Sequence, residues 1–196
     1  MKVTFVFYLL FFSCSCFASK NTVLEHAVAP GGKIIYSIVG SSVNNVSEDG
    51  DERNNGVRIE KTDMSTDGRY IFLEARQDNK PERNLSHFSN LTLTPDSKTL
   101  YFESEAWVTS NAIHSIDIET KQERFITDGH LICVVGAGEY QGDLIVKQHR
   151  YFVQGGAYEY FYLYSSSGKE IGLVAGSDIT DDNSEENVLP LCQSIG

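Results

Sequence analysis

With 27 acidic against 16 basic side chains in 196 residues, the chain carries a formal charge of −11. So acidic a surface gains nothing from a phosphate backbone or an anionic lipid headgroup, which argues against nucleic acid and membrane surfaces as partners. It suits plain solubility, and it would steer in a basic protein partner or a cationic ligand.

Met1 and Lys2 open onto an apolar run, Val3 to Phe12, followed by small residues up to Ala18, the layout of a secretory signal peptide. The run is about ten residues, half of the roughly 20 that a spanning helix requires, and no later segment is long and apolar enough to stop transfer. Cleavage after residue 18 would leave a single domain, 19–196, one unit more negative for the loss of Lys2. The expected location is periplasmic or secreted. The alternative is a lipid anchor through Cys14 or Cys16, although neither follows a Leu-small-small triplet.

Of the four cysteines, only Cys133 and Cys192 outlast that cleavage, and in an oxidising compartment two cysteines allow one pairing. Closing so long a loop contributes roughly 4 kcal/mol in the chain-entropy account. The bond would pin the tail, 176–196, to the body. A free Cys192, or pairing between chains, is the alternative. The mature length of about 178 residues suits one domain and hardly allows two.

Beyond the leader the hydrophobic period is two rather than 3.6, in short β-branched and aromatic runs set between Gly, Asn, Asp and Ser clusters. This predicts an all-β domain. In chain order the expected strands are KIIYSIV (33–39), VRIEK (57–61), RYIFLEA (69–75), NLTLT (90–94), KTLYFES (98–104) and AIHSIDI (112–118). QERFIT (122–127), LICVV (131–135), DLIVKQHRYFV (143–153), EYFYLY (159–164) and EIGLV (170–174) follow. The loop 40–56 is polar and acidic throughout and is expected to be mobile.

Two turn-and-strand segments look alike. STDGRYIFLE (65–74) and LTPDSKTLYF (93–102) align with Asp67-Gly68-Arg69 over Asp96-Ser97-Lys98, an offset of 29 residues from Asp67 to Asp96. In each the Asp is expected to bond its own downstream backbone, while Gly68 or Ser97 takes the left-handed dihedrals. Lys33-Ile34-Ile35-Tyr36 fits the template more loosely, without the Asp.

The unit is fullest over 93–129, where the turn, KTLYFES, AIHSIDI, a turn at Glu119-Thr120-Lys121 and QERFIT succeed one another. This segment resembles the TolB-like, or WD40-like, β-propeller repeat: a Pro-Asp-Gly-Lys turn, an alternating strand, an IYVVDL-like strand and a short Gly-bearing turn. EYFYLYSSSGKEIGLV (159–174) resembles the second half of another such unit. The resemblance covers about half of the mature chain and implies a secreted bacterial protein. Blades of this kind run about 40 residues and closed rings usually hold four to eight of them. The implied architecture is therefore a short or partial propeller of TolB-like units, with a compact β-sandwich as the alternative.

For chemistry the chain is mostly silent, with no Gly-x-Ser-x-Gly elbow, His-Glu-x-x-His pair or phosphate loop. GAGEYQG (136–142) is spaced wrongly for a dinucleotide fingerprint and suits a hairpin turn. Hydrolases with TolB-like propellers keep their catalytic groups on a separate α/β domain, for which there is no room. His26, His87, His114, His130 and His149 never fall at ligand spacing with a Cys or carboxylate. Glu103 and Glu105 share a strand face and form the one candidate acid/base pair, against a reading as solvated strand carboxylates. Asp49 with Asp51, and Asp178 with Asp181 and Asp182, offer oxygen ligands for calcium but not in EF-hand spacing. No cofactor is expected.

Aromatic side chains are the most suggestive surface material. Trp107, Tyr151, Tyr158, Tyr160 and Tyr162 lie near turns or in one strand-rich stretch, and the last three alternate onto one face. Such rings anchor interfaces; the competing reading is that this face builds the core between sheets. Asn45, Asn84 and Asn90 open glycosylation sequons, which carry no weight in a bacterium. The expectation is a secreted, non-enzymatic protein-binding module, in its most specific form a small inhibitor or immunity-type protein. The alternative is a small hydrolase or lyase acting on a cell-wall or glycan substrate.

Overall fold

The computed structural model describes residues 21–41, 56–174 and 185–193. The leader with Cys14 and Cys16, residues 42–55 of the acidic loop, and 175–184 and 194–196 of the tail lie outside the described residues. So do Asn45, Asp49, Asp51, Asp178, Asp181 and Asp182.

The chain is all-β. Among the described residues the eleven strands are β1 (Asn21–Val28), β2 (Ile34–Ser41), β3 (Gly56–Asp63), β4 (Gly68–Glu74), β5 (Ser89–Leu93) and β6 (Thr99–Glu105), then β7 (Asn111–Asp117), β8 (Glu123–Val134), β9 (Leu144–Tyr151), β10 (Ala157–Tyr164) and β11 (Glu170–Leu173). Every pairing is antiparallel and between consecutive strands, giving a four-stranded sheet, β1 to β4, and a seven-stranded one, β5 to β11. Single 3-10 turns at Pro81–Arg83, Glu185–Asn187 and Leu189–Cys192 are the only helical elements among the described residues. None is long and apolar enough to cross a membrane.

β8 explains how the larger sheet is built. It runs 12 residues and changes partner midway: Glu123 to Gly129 lie along β7, and His130 to Val134 lie along β9. Two four-stranded meanders therefore share it. Gly129 sits at the changeover with φ +128, and a Cβ there would lie 2.7 Å from the Lys147 carbonyl oxygen, so only glycine fits. With β1 to β4, the described residues form three four-stranded units in series, an open and partial propeller-like array.

The packing follows from this. Unit 1 buries Tyr36, Ile38, Ile59 and Phe72 against Leu100, Phe102 and Ile116 on one face of unit 2. The opposite face of unit 2, with Tyr101 and Ile113, packs on Leu144, Val146, Tyr162 and Tyr164 of unit 3. Two parts of one sheet can meet face to face only if it curls between them. The alternation of period two thus serves buried layers on both sides, in contrast to a two-sheet sandwich, where each strand has one wet face. The outer face of unit 3, with Ile145, Phe161 and Leu163, is covered by Val188 and Leu191 of the tail. There Cys192 is bonded to Cys133, Cα to Cα 5.9 Å.

Three expectations are corrected. NTVLEHAV forms β1, a strand the alternation did not announce. QERFIT and LICVV are one strand, because Gly129-His130 is a pivot and not a turn. The repeated turns correspond differently as well. Ala29 N donates to Ile34 O and Gly32 N to Ala29 O, and Thr94 N donates to Thr99 O and Ser97 N to Thr94 O. Pro30-Gly31-Gly32-Lys33 is therefore the counterpart of Pro95-Asp96-Ser97-Lys98, each opening its unit's second strand.

Asp67-Gly68 belongs to another position, the turn before the fourth strand. Its counterparts are the turns led by Asp117 and Ser165, with left-handed residues at Asp67 (φ 55), Lys121 (φ 59) and Gly168 (φ 86). In that turn Asp63, not Asp67, accepts the downstream N–H, from Ser65 at 2.9 Å, and Asp67, not Gly68, takes the positive φ. Ser97 has φ 59 as expected, although Gly68, with which it was aligned, has no positive φ; the glycine it corresponds to is Gly32, φ 70.

Candidate functional site

An open groove of about 340 Å³ runs across the β8 pivot, lined among others by Trp107, Asn111, His130, Lys147, His149 and Glu159 and by Glu185 of the tail. One hairpin loop, 106–110, contributes to its lining, and a second, 152–156, follows the strand that carries His149. The 106–110 loop between β6 and β7 closes through Trp107 N to Ser110 O at 3.0 Å and leaves Val108 fully exposed. The Trp107 ring rests edge-on against Phe125, and Phe125 against His114, so the indole is braced from below. The 152–156 loop between β9 and β10 closes through Phe152 N to Gly156 O at 3.0 Å and presents Tyr151, Phe152 and a fully exposed Val153.

The groove wall is charged and internally paired. Lys147 Nζ lies 3.1 Å and His149 Nδ1 3.5 Å from the Glu159 carboxylate, and the Lys147 hydrogen bond chiefly holds that carboxyl below its usual range. His149 also meets Tyr151 edge to face, at 5.1 Å between centroids.

Beneath the groove lies Glu103, wholly buried. Its carboxylate accepts from Asn90 Nδ2, Asn111 Nδ2 and Leu131 N, each at 2.7 Å, and from His130 Nδ1 at 3.0 Å. Burial alone would push the carboxyl up; the bonds from His130, Asn111 and Asn90 outweigh it and hold the group below the usual range. His130 is raised in turn, first by its hydrogen bond to Glu103. Asn90 also donates to Leu131 O. Where β8 leaves β7, side chains from β5 and β6 thus supply both bonds that a neighbouring strand would have made to Leu131.

Glu103 and Glu105 do not act as a pair. Glu105 is exposed and bonded to His87, whereas Glu103 is spent on structure.

A second array has the connectivity of a hydrolase triad. Ser104 Oγ is 3.0 Å from His114 Nε2, and His114 Nδ1 is 2.7 Å from Glu123, whose other oxygen takes Arg76 at 2.9 Å. Ser104 and His114 are wholly buried, and Ser104 Oγ already donates to the Asn84 carbonyl at 2.7 Å. Toward His114 it therefore accepts, and an imidazole that donates to a serine cannot also take its proton. His114, stacked on Phe102 and bonded to Ser104 and Glu123, ties β6, β7 and β8 together within unit 2.

The five aromatic residues singled out by sequence separate into two groups. Trp107 and Tyr151 stand by the groove. Tyr158, Tyr160 and Tyr162 project from the other face of β10: Tyr158 packs on Phe152 at 4.4 Å, Tyr160 lies against the core, and Tyr162 is buried there under the Arg150 guanidinium at 3.6 Å. Lys147, His149, Glu159 and Asn111 were not anticipated. Their one sequence signal is charge placed at alternate positions of otherwise apolar strands. Among the described residues no group of three or more His, Cys, Asp or Glu side chains is placed to hold a metal ion.

No family model matches the sequence, and no curated protein matches it. Among solved structures, the chain is similar to the β-propeller domain of the Trilobed protease from Pyrococcus furiosus, which has an open velcro topology. The identity is 13%, over 77% of this chain and 41% of that one, with a TM-score of 0.49. It is similar also to the Pyrococcus horikoshii acylaminoacyl peptidase, at 11% identity over 80% of this chain and 24% of that one, TM-score 0.49. TolB from Acinetobacter baumannii gives 12%, 74%, 41% and 0.32 in the same order. The chain thus spans less than half the length of each, and no activity, substrate or partner passes from them to it.

Proposed function

We propose that the chain is a secreted, non-enzymatic protein-binding module that grips its partner with the exposed tips of the 106–110 and 152–156 hairpin loops. The observation that carries this reading is the full exposure of Val108 and Val153, one at each tip, beside Trp107, Tyr151 and Phe152. Apolar side chains held at the ends of short, hydrogen-bonded loops are costly in water and gain most when a partner covers them. The paired charges of Lys147, His149 and Glu159 would form the polar rim. The acidic surface as a whole favours a basic partner. The specific form of this reading is a periplasmic inhibitor or immunity-type protein, whose hairpins plug the cleft of a basic toxin or cell-wall enzyme.

The test is capture from periplasmic extract with wild type and with a Val108→Asp/Val153→Asp variant. Both positions are fully exposed, so the variant should fold and melt as wild type does. One stoichiometric protein should be retained by wild type and lost by the variant. Equal capture by both would move the interface elsewhere, and turnover of a peptide or glycan by the isolated chain would overturn the class.

A further inference from the structure

The outer face of unit 3 is laid out in cross-strand rows. Cys133, Ile145 and Leu163 stand opposite one another on β8, β9 and β10; His130, Lys147 and Phe161 make the next row, and His149 and Glu159 the one after. Residues two apart on a strand share a face, so the rows of β9 and β10 point the same way and the face grades from apolar to charged. The groove takes the charged end. The apolar end is covered by Val188, wholly buried, and Leu191 of the tail.

Little besides one covalent bond keeps residues 185–193 in place. Two 3-10 turns, of three and four residues, make up most of the segment, and turns so short are not stable by themselves. Among the described residues the segment makes a single backbone hydrogen bond to the body, from Gly136 N to Cys192 O at 2.8 Å. Cys133 and Cys192 are both only half-buried, so a dithiol can reach their bond. Its thiolate attacks one sulfur, and the other cysteine leaves as a thiolate. Its second thiol then displaces the first cysteine from the mixed disulfide. Two electrons pass to Cys133 and Cys192, and the dithiol becomes a disulfide itself.

Once the bond is open, the constraint on the 59-residue separation is gone and two apolar side chains are left to hold the segment. Beneath it lies a sheet face of the kind that, between units 1 and 2 and between units 2 and 3, is covered by another four-stranded unit. The same face of a second copy is such a unit. Its charges suit this contact. Glu185 leaves the groove lining with the segment, and Lys147 and Glu159 remain, one of each sign. A two-fold axis can set Lys147 of one copy against Glu159 of the other, so this face does not repel its own copy despite the chain's charge of −11.

We propose that residues 185–193 are a disulfide-held strap: reduction of Cys133–Cys192 lifts it, and the bared face of unit 3 docks on the same face of a second copy. The strap works independently of the hairpin tips, and the purified chain alone suffices to test it.

The test is hydrogen exchange and sedimentation velocity on the full chain, oxidised and in dithiothreitol, from low micromolar concentration upward. Oxidised protein should sediment as a monomer. In reductant the amides of 188–193 should exchange about a hundredfold or more faster while β2 and β6 keep their protection, and the chain should sediment as a dimer. Cys192→Ser should behave in the same way without reductant. Lys147→Glu should weaken the reduced dimer about tenfold or more and leave release of the strap unchanged, and Lys147→Glu/Glu159→Lys should restore the dimer. Unchanged exchange in 188–193, equal loss of protection in β2 and β6, a reduced chain that stays monomeric, or a dimer indifferent to Lys147→Glu would each overturn the proposal.

Discussion

The backbone N–H of Leu131 donates to the side chain of Glu103, 28 residues earlier and on another strand, at 2.7 Å. β8 has just left β7 at this point, and the Glu103 carboxylate takes the place of a strand. Glu103→Gln would put an amide N–H₂ against the donors of Asn90, Asn111 or His130 while removing a buried charge from a fully bonded setting. The expected cost is about 3 kcal/mol. Urea denaturation of both proteins measures it, and a loss within error of zero would show the seam to be held by packing alone.

The Glu103–His130 pair also sets a pH dependence with two limbs. Glu103 is lowered from 4.5, so its contribution is complete above 4.5 and is lost as pH falls through the folded value. His130 is raised from 6.5, so its contribution is complete below 6.5 and is lost as pH rises through the folded value. Melting temperatures should accordingly be highest between 4.5 and 6.5 and decline on the alkaline side. In His130→Gln the alkaline decline should flatten. An identical slope in wild type and variant would remove His130 from the account.

Reduction of Cys133–Cys192 should destabilise the chain by about 4 kcal/mol, given the 59-residue separation it closes. The melting temperature in reductant, against that of the oxidised protein, gives the effect. Two free thiols per native molecule would contradict the bond itself.

Turn substitutions separate the two kinds of turn. Ser97 has φ 59 and a buried Oγ without a partner, so Ser97→Gly should stabilise by about 1 kcal/mol. Gly68 has no positive φ, and an added Cβ would meet only the Thr66 hydroxyl, at 3.0 Å. Gly68→Ala should therefore change stability by no more than about 0.5 kcal/mol. Thermal melts of the two variants suffice. A stabilising Gly68→Ala with a destabilising Ser97→Gly would reverse the assignment.

Most strands were legible because alternation of period two survives wherever at least one face is buried. β1 was not, since His26 and Glu25 interrupt its apolar positions and much of it stays exposed. β8 was split in two because Gly129, read locally, is a turn residue, and only the change of partner from β7 to β9 shows it to be a pivot. The repeat was misaligned for a related reason. Pro30-Gly31-Gly32-Lys33 holds the same backbone bonds as Pro95-Asp96-Ser97-Lys98 with no Asp at all, so side-chain likeness pointed to the wrong turn.

The candidate site was half legible. Trp107 and Tyr151 stand where exposed aromatics were expected, but Tyr162 is core, because both faces of a middle strand are buried in a layered array and alternation cannot say which is outermost. Nothing in Thr99-Leu100-Tyr101-Phe102-Glu103 marks Glu103 as a hub. Its four donors come from β5, β7 and β8, brought together only by the pairing of the strands.

In a series of stacked sheets every face invites another sheet, and the tail segment with Val188 and Leu191 answers that invitation at one end. By occupying the face of Ile145, Phe161 and Leu163, and being covalently held there, it acts as a terminator. A fourth unit added after β11 would have to evict it, so gene duplication could lengthen this array by insertion between units but not by extension past β11 while the bond to Cys133 persists.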